Sequence, residues 1–386
     1  MSLGFDGGLF QSSIYLSGDY PWPLTASDWE ARAAAEMEPA PFDYVAGGAG
    51  SEATMRANLE AFERRRLRPR MLTGNAQRDL SVEVLGLQSP SPFFLAPVGV
   101  LGIVHPDGEL AVARAAAATG VPMLLSSAAS TSIERVAEAH GDSPRWFQLY
   151  WVSDRKIVES FVRRAEAAGY TAIVVTLDTL MLGWRPRDLA RPYLPFLEGK
   201  GCAQFFSDPV FCSYLAKPPE EDLVSAATLM LSTYPNLALT WDDLEWLRGL
   251  TGLPLLVKGV LTAEDALEAR KRGVDGVIVS NHGGRQVDGS VAALDALVEV
   301  RDALGPDDPV LMDSGIRSGA DIVKAMALGA DAVLLGRPYV YALAAGGQEG
   351  VEALIRQLLA ETDVTLALAG GTAIRDLDRS ALADVE

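Results

Sequence analysis

Eight apolar runs recur along this chain, and nearly every one ends in a residue whose side chain can do chemistry. In order they are Pro92–Ala96, Val121–Leu125, Arg145–Tyr150, Thr171–Asp178, Leu253–Lys258, Gly276–Asn281, Pro309–Asp313 and Ala332–Arg337. At their exits stand Pro97, Ser126, Gln148 with Tyr150, Thr176 with Asp178, Lys258, His282, Asp313, and Gly336 with Arg337. Helix-spaced stretches separate them, among them Glu109–Thr119, Asp154–Ala168, Ala263–Arg272 and Ala320–Leu328. Strands alternating with helices imply a parallel sheet, and eight such units close into a barrel. The pattern therefore predicts an α/β chain built as a single (β/α)8 TIM barrel. Barrel enzymes carry their chemistry at the carboxyl ends of the strands, so these exits point to one converging site.

Composition narrows the function classes. A net charge of −18 argues against nucleic acid or an anionic membrane as partner, and it means that an anionic substrate must be held by local cations. No apolar run approaches the ~20 residues needed to cross a bilayer. The first basic residue is Arg32, so the n-region of a signal peptide is missing. Two cysteines, Cys202 and Cys212, suit a reducing compartment better than a disulfide, and a cytoplasmic location is expected. No His, Cys and Asp residues fall at metal-ligand spacing, so no metal is expected.

Ahead of the barrel, residues 1–75 read as a helical segment, with the barrel occupying 76–386. Helices are expected around Ser27–Met37 and from Ser51 to about Arg66, the second with Ser51 as N-cap and Glu52 behind it. They are expected to plug the amino-terminal end of the barrel. Thr131-Ser132-Ile133-Glu134 reads as a capping box and Thr240-Trp241-Asp242-Asp243 as an acidic variant. After the fourth run, residues 183–239 hold seven prolines, both cysteines and several aromatics. A connection that long, leaving the carboxyl end of a strand, reads as a lid over the site rather than a subunit-packing surface.

The sharpest motif is Ser280-Asn281-His282-Gly283-Gly284-Arg285-Gln286 after the sixth run. Histidine takes a proton near neutral pH, and Arg285 can hold a carboxylate through two parallel hydrogen bonds. Lys258 ends an apolar run and is desolvated unless an anion meets it; it suits a Schiff base or a fixed positive charge. Asp313-Ser314-Gly315-Ile316-Arg317 after the seventh run and Gly336-Arg337-Pro338 after the eighth are glycine loops, each with an arginine, where barrels bind phosphate. His105 and His140 carry no assigned role; His140 reads as the end of a helix.

Taken together these motifs resemble the FMN-dependent α-hydroxy acid oxidases and dehydrogenases. The likeness also takes in Phe42-Asp43-Tyr44, Leu95-Ala96-Pro97, Gln148-Leu149-Tyr150 and Thr176-Leu177-Asp178-Thr179. It implies FMN as cofactor, and it implies roles by position. His282 would be the base, oriented by Asp178. Arg185 and Arg285 would clamp the substrate carboxylate, with Tyr44 and Tyr150 hydrogen-bonding to the substrate. Lys258 would stabilise the reduced flavin as an electrostatic group, which removes the Schiff-base alternative. Ala96, Pro97, Val98, Gly99, Ser126, Gln148, Thr176 and Ser280 would contact the flavin. Asp313, Gly315, Arg317, Gly336 and Arg337 would hold the ribityl phosphate.

Within that family, Gly183-Trp184-Arg185-Pro186-Arg187-Asp188-Leu189, Ser207–Phe211, Leu239–Leu244 and Val98-Gly99-Val100 are most similar to the decarboxylating lactate oxidases, the lactate 2-monooxygenases. Val287-Asp288-Gly289 is more acidic than their corresponding turn. The resemblance implies oxidation of a small L-2-hydroxy acid such as lactate by O2, with decarboxylation to acetate, CO2 and water, in a homotetramer or larger assembly. The alternatives are a plain oxidase releasing the 2-oxo acid and H2O2, a dehydrogenase, and, more remotely, a phosphate-binding aldolase or isomerase barrel.

Overall fold

The computed structural model describes residues 5–384. Eight parallel strands close into a barrel: Phe93–Leu95 (β1), Met123–Ser126 (β2), Arg145–Tyr150 (β3), Ile173–Thr176 (β4), Leu255–Val260 (β5), Gly276–Val279 (β6), Val310–Met312 (β7) and Ala332–Leu335 (β8). Each falls within its apolar run or extends it by a residue or two. The order around the barrel follows the chain, and β8 returns to β1 through Val333 opposite Phe93. Such strands are covered on both faces, by the barrel interior and by the outer helices, so they read as continuous apolar runs rather than alternating ones. Helices Gly108–Thr119, Arg155–Ala167, Ala263–Lys271 and Gly319–Ala327 occupy the expected stretches.

Register places the chemistry. Ser126 lies opposite Gln148, Tyr150 opposite Thr176, and Thr176 opposite Lys258. After Lys258 the β5–β6 register shifts. Gly259 takes φ +108° there, and a Cβ on it would lie 2.7 Å from the Asp178 Cβ. Only glycine allows that backbone and that approach together.

Several expectations are corrected. The helices ahead of the barrel do not plug its amino end. A hairpin, Val82–Val84 with Leu87–Ser89, lies there instead, its turn beside Arg145 and Thr171 at the entries to β3 and β4. Helices Pro39–Ala46 and Ala53–Glu63 sit on the carboxyl face, where Ala49 N–H donates to Gly284 O and the Asn58 and Asn281 side chains bond each other at 2.7–2.9 Å. The cause is polar: this arm presents carbonyls and amides, which match the turn after β6 better than an apolar barrel floor. Ser51 is not the N-cap. Glu52 turns the chain at φ +62°, and the Asp288 carboxylate takes the N–H groups of Ser51, Ala53 and Thr54 at 2.6–3.2 Å and the Ser51 hydroxyl at 2.8 Å. The acidic turn noted in the sequence thus caps a helix from across the fold. That helix stops at Glu63, and Arg65–Leu67 pairs with Leu382–Asp384 instead.

At Thr131-Ser132 the second residue caps helix Ile133–His140, its side chain accepting from Arg135 N–H, while Glu134 pairs with Arg164. In the other box Asp243 does reach back to Thr240 N–H at 2.8 Å. The connection 183–239 is folded rather than a loop. It carries helical segments at Pro186–Ala190, Pro195–Glu198, Ala203–Phe206, Pro209–Cys212 and Leu223–Thr233. Phe196, Phe205, Phe211 and Met230 join the core, and buried Asp208 accepts from Ser160 and Arg164 on the helix Arg155–Ala167. Both cysteines are free thiols.

Candidate active site

Two hydrogen-bonded chains cross the carboxyl ends of the strands. In the first, Ser126 Oγ donates to Gln148 Oε1 at 3.1 Å and Gln148 Nε2 donates to Thr176 Oγ1 at 2.8 Å, linking β2, β3 and β4. In the second, Lys258 Nζ lies 2.8 Å from Ser280 Oγ and 3.1 Å from Asp313 Oδ2, and Ser280 Oγ donates to Asp313 Oδ1 at 2.5 Å. The same Ser280 Oγ accepts His282 N–H at 3.0 Å, and Ser314 Oγ accepts Gly283 N–H at 2.9 Å. These bonds hold His282 at φ +57°, a conformation a non-glycine residue keeps only when its surroundings over-determine it.

His282 Nδ1 lies 2.8 Å from Asp178 Oδ1. That bond fixes the proton on Nδ1 and turns Nε2 toward the cavity that His282 lines. Burial pushes the imidazole below its ordinary range, against the pull of Asp178, so it is neutral and ready to accept a proton. For Asp178 burial pushes upward, but His282 and Lys258 outweigh it and hold the carboxyl down at about 2. Burial also opposes the Lys258 charge, and Asp313 and Asp178 overcome it, keeping the ammonium above its usual range. Lys258 is a fixed cation facing the cavity.

Arginines form the second part of the site. Arg285 Nη1 donates to Tyr44 O at 2.7 Å and Gly47 O at 2.9 Å. Arg337 donates to Val45 O, Gly283 O and Gly47 O at 2.8–3.1 Å. The Tyr44 ring centroid lies 5.2 Å from the Arg285 guanidinium carbon and 5.8 Å from that of Arg185. Among the described residues Arg185 has Asp188 at 3.4 Å, whereas Arg285, Arg317 and Arg337 form no ion pair. Burial, then Arg185 and Arg337, push Arg285 down to about 9; burial chiefly pushes Arg337 down to about 10. Cations depressed this way are stabilised by incoming anions.

The phosphate end is narrower than the sequence reading. Helix Gly319–Ala327 is closed by its own capping box, Ser318 with Asp321, and Asp321 also takes Arg317 N–H. Asp313 is committed to Lys258, Ser280 and Ser314. An anion is thus left with Gly315, Arg317, Arg337 and the start of helix Arg337–Ala369, which has no side-chain cap and opens at Gly336, where a Cβ would meet nothing within 4 Å.

These parts surround one cavity at the carboxyl face of the barrel. Its wall includes Tyr44, Ala96, Pro97, Val98, Gly99, Tyr150, Arg185, Lys258, His282, Arg285, Asp313, Gly315, Arg317, Gly336 and Arg337, all singled out from sequence. Ser126, Gln148, Thr176 and Ser280 lie one step behind it, buried in the hydrogen-bonded chains, and the partly buried Asp178 stands beside His282. Sequence reasoning missed Thr179, Leu182, Phe196 and Tyr234 as wall residues. Tyr234 packs on Tyr150 with ring centroids 5.2 Å apart and comes from the far end of the 183–239 connection. No local pattern marked it; only the aromatic content of that segment hinted at a wall.

A barrel whose carboxyl face joins an anion seat to a buried cation and an aspartate-oriented histidine is a cofactor-dependent enzyme of the flavin-mononucleotide kind. Residues 33–384 match the family model described as FMN-dependent dehydrogenase. The chain belongs to that family, and FMN is its cofactor. It is 44% identical over 344 residues to the FMN-dependent alpha-hydroxy acid dehydrogenase qulF of Penicillium citrinum, covering 88% of this chain and 86% of that one. It is 41% identical to the L-lactate oxidase of Lysinibacillus sphaericus, over 96% of this chain and 95% of that one. Among solved structures, an oxidized active mutant of (S)-mandelate dehydrogenase superposes with a TM-score of 0.85 at 38% identity, covering 94% of this chain and 99% of that one. The residues present fit the cofactor: Arg317 and Arg337, which form no ion pair among the described residues, line one end of the cavity with the open helix start, and Lys258 lines it too.

Proposed function

We propose that this protein oxidises a small L-2-hydroxy acid, with lactate as the substrate and O2 as the oxidant, and that it releases acetate, CO2 and water. The observation that carries the first part is the His282–Asp178 pair in a cavity that also holds Arg185 and Arg285. Relatives named for lactate, glycolate and mandelate oxidation support the substrate class.

FMN, when bound, accepts the two electrons and the hydrogen of the substrate C–H bond and passes the electrons on to O2. Arg317, Arg337, Gly315 and Gly336 hold its phosphate and Ala96 to Gly99 form an apolar wall, while the Ser126–Gln148–Thr176 chain ties β2 to β4 and Ser280 holds Lys258. The substrate carboxylate pairs with Arg285 and Arg185, both of which pack on the Tyr44 ring. The clamp brings the substrate hydroxyl to His282 Nε2, with Tyr150 as a further hydrogen-bonding group. Nε2 takes the hydroxyl proton, and Asp178 stabilises the resulting imidazolium through Nδ1–H. The Lys258 ammonium stabilises negative charge that arrives on the cofactor.

The product depends on retention. Pyruvate held beside peroxide is attacked at its carbonyl carbon, and pyruvate with H2O2 gives acetate, CO2 and H2O. Leu182, Arg185, Phe196 and Tyr234, all from the segment after β4, wall the cavity and support retention. We expect this assembly to be a homotetramer. Products per lactate consumed decide the outcome: acetate in stoichiometric yield with little free peroxide is expected. Stoichiometric pyruvate and free peroxide would make the protein a plain oxidase instead.

A further inference from the structure

Asp178 has two oxygens, with the His282 imidazole and the Lys258 ammonium both within reach. Oδ1 serves His282 at 2.8 Å; Oδ2 has no hydrogen-bond partner among the described residues and lies 3.8 Å from Lys258 Nζ. A carboxylate turns about a soft, nearly two-fold torsion, so one hydrogen bond does not fix which of the two groups it favours. The hydroxyl of Thr179, the next residue in the chain, breaks the tie. Thr179 Oγ1 donates to Asp178 Oδ1 at 2.8 Å and lies 3.1 Å from His282 Nδ1, in a side chain that lines the cavity wall.

We propose that Thr179 is a positioning residue for the oxidation, a latch that keeps the Asp178 carboxylate on His282 and off Lys258. The inference rests on His282 acting as the base. With the latch in place, Asp178 steadies the imidazolium while Lys258 keeps its charge for the cofactor, compensated by Asp313. Without it, the carboxylate is free to rotate toward the ammonium and the histidine loses its anion. The charged and titratable groups around His282 are Asp178 on the β4 exit, Lys258 on β5, Asp313 after β7, Tyr150 on β3, Tyr44 from the arm, and Arg185 and Arg285; of these Asp178 supplies the charge nearest the ring.

The test uses flavin-loaded Thr179→Val, which keeps the shape and removes the hydroxyl, with Thr179→Ser as rescue. A histidine deprived of its anion holds its proton less firmly. The acid limb of the kcat/KM profile should therefore move down by about 0.5 pH unit or more. Plateau kcat should fall about tenfold, a fraction of the ~10²–10⁴ a general base supplies. Thr179→Ser should restore both. An unchanged limb and plateau in Thr179→Val, or a limb that moves up in pH, overturns the latch. If Thr179→Val does not retain flavin, Thr179→Ala carries the same expectation, and flavin loss in both makes the hydroxyl purely structural and overturns it too. His282→Gln, run in parallel, separates the two ideas: near-normal turnover there refutes the base itself, whatever Thr179 does.

Discussion

Lys258 shows how one residue's meaning depends on its neighbours. An apolar run ending in lysine is compatible with a nucleophile or a fixed charge, because both need a desolvated amine. Asp313 at 3.1 Å and Asp178 at 3.8 Å keep this amine protonated, and a protonated amine is no nucleophile. Lys258→Met should therefore cut the rate of anaerobic flavin bleaching by substrate about 10²–10³-fold. It should leave the KM for the hydroxy acid little changed, since the carboxylate clamp is elsewhere. Rapid-mixing absorbance checks this; a bleaching rate within a few-fold of wild type would remove Lys258 from the chemistry. His282, Arg285 and Lys258 were legible because polar groups at the mouths of apolar strands have few other uses. Tyr234 was not, because its approach to Tyr150 depends on the path of a connection that has no period of its own.

Among the elements, the arm ahead of the barrel departs most from its sequence reading. Amphipathic spacing identified its helices, but spacing says only that a face is buried, not against what. The carbonyls of Tyr44, Val45 and Gly47 take Arg285 and Arg337, and Asp288 caps the helix Ala53–Glu63 that follows. Arm, clamp and phosphate seat are thus one hydrogen-bonded unit tied down by Asp288. Its carboxyl is held down to about 2 by the Ser51 hydroxyl and the backbone N–H groups it collects. Asp288→Asn should raise KM for the hydroxy acid several-fold and weaken FMN retention, with a smaller effect on kcat, because Arg285 and Arg337 lose their frame while His282 keeps Asp178. Steady-state kinetics and flavin release on dilution check it. Unchanged KM and flavin affinity would reduce Asp288 to an ordinary cap.

Across the whole molecule, acid tolerance is set in part far from the site. His140 closes helix Ile133–His140 and is buried. Burial, then Arg145, push it down to about 4. The unfolded chain protonates this ring near 6.5 and the folded chain near 4, so stability is complete above pH 6.5 and is lost as pH falls toward 4. The loss is at most about 3 kcal/mol. His140→Phe should flatten melting temperature against pH between those limits, as scanning calorimetry at pH 7 and pH 5 would show; an equal drop in both proteins would clear His140.

The barrel, its eight strands and most of the residues that face the cavity are written in the order of the amino acids. Strands covered on both faces must be apolar throughout, and a barrel puts polar exits at one mouth, so both facts are written along the chain. Which face the arm covers, that Asp288 rather than Ser51 caps its helix, that Asp313 meets Lys258, and that Phe196 and Tyr234 complete the wall came only from the folded chain. Each of those joins residues far apart in the chain, through hydrogen bonds or packing that have no period and leave no local trace.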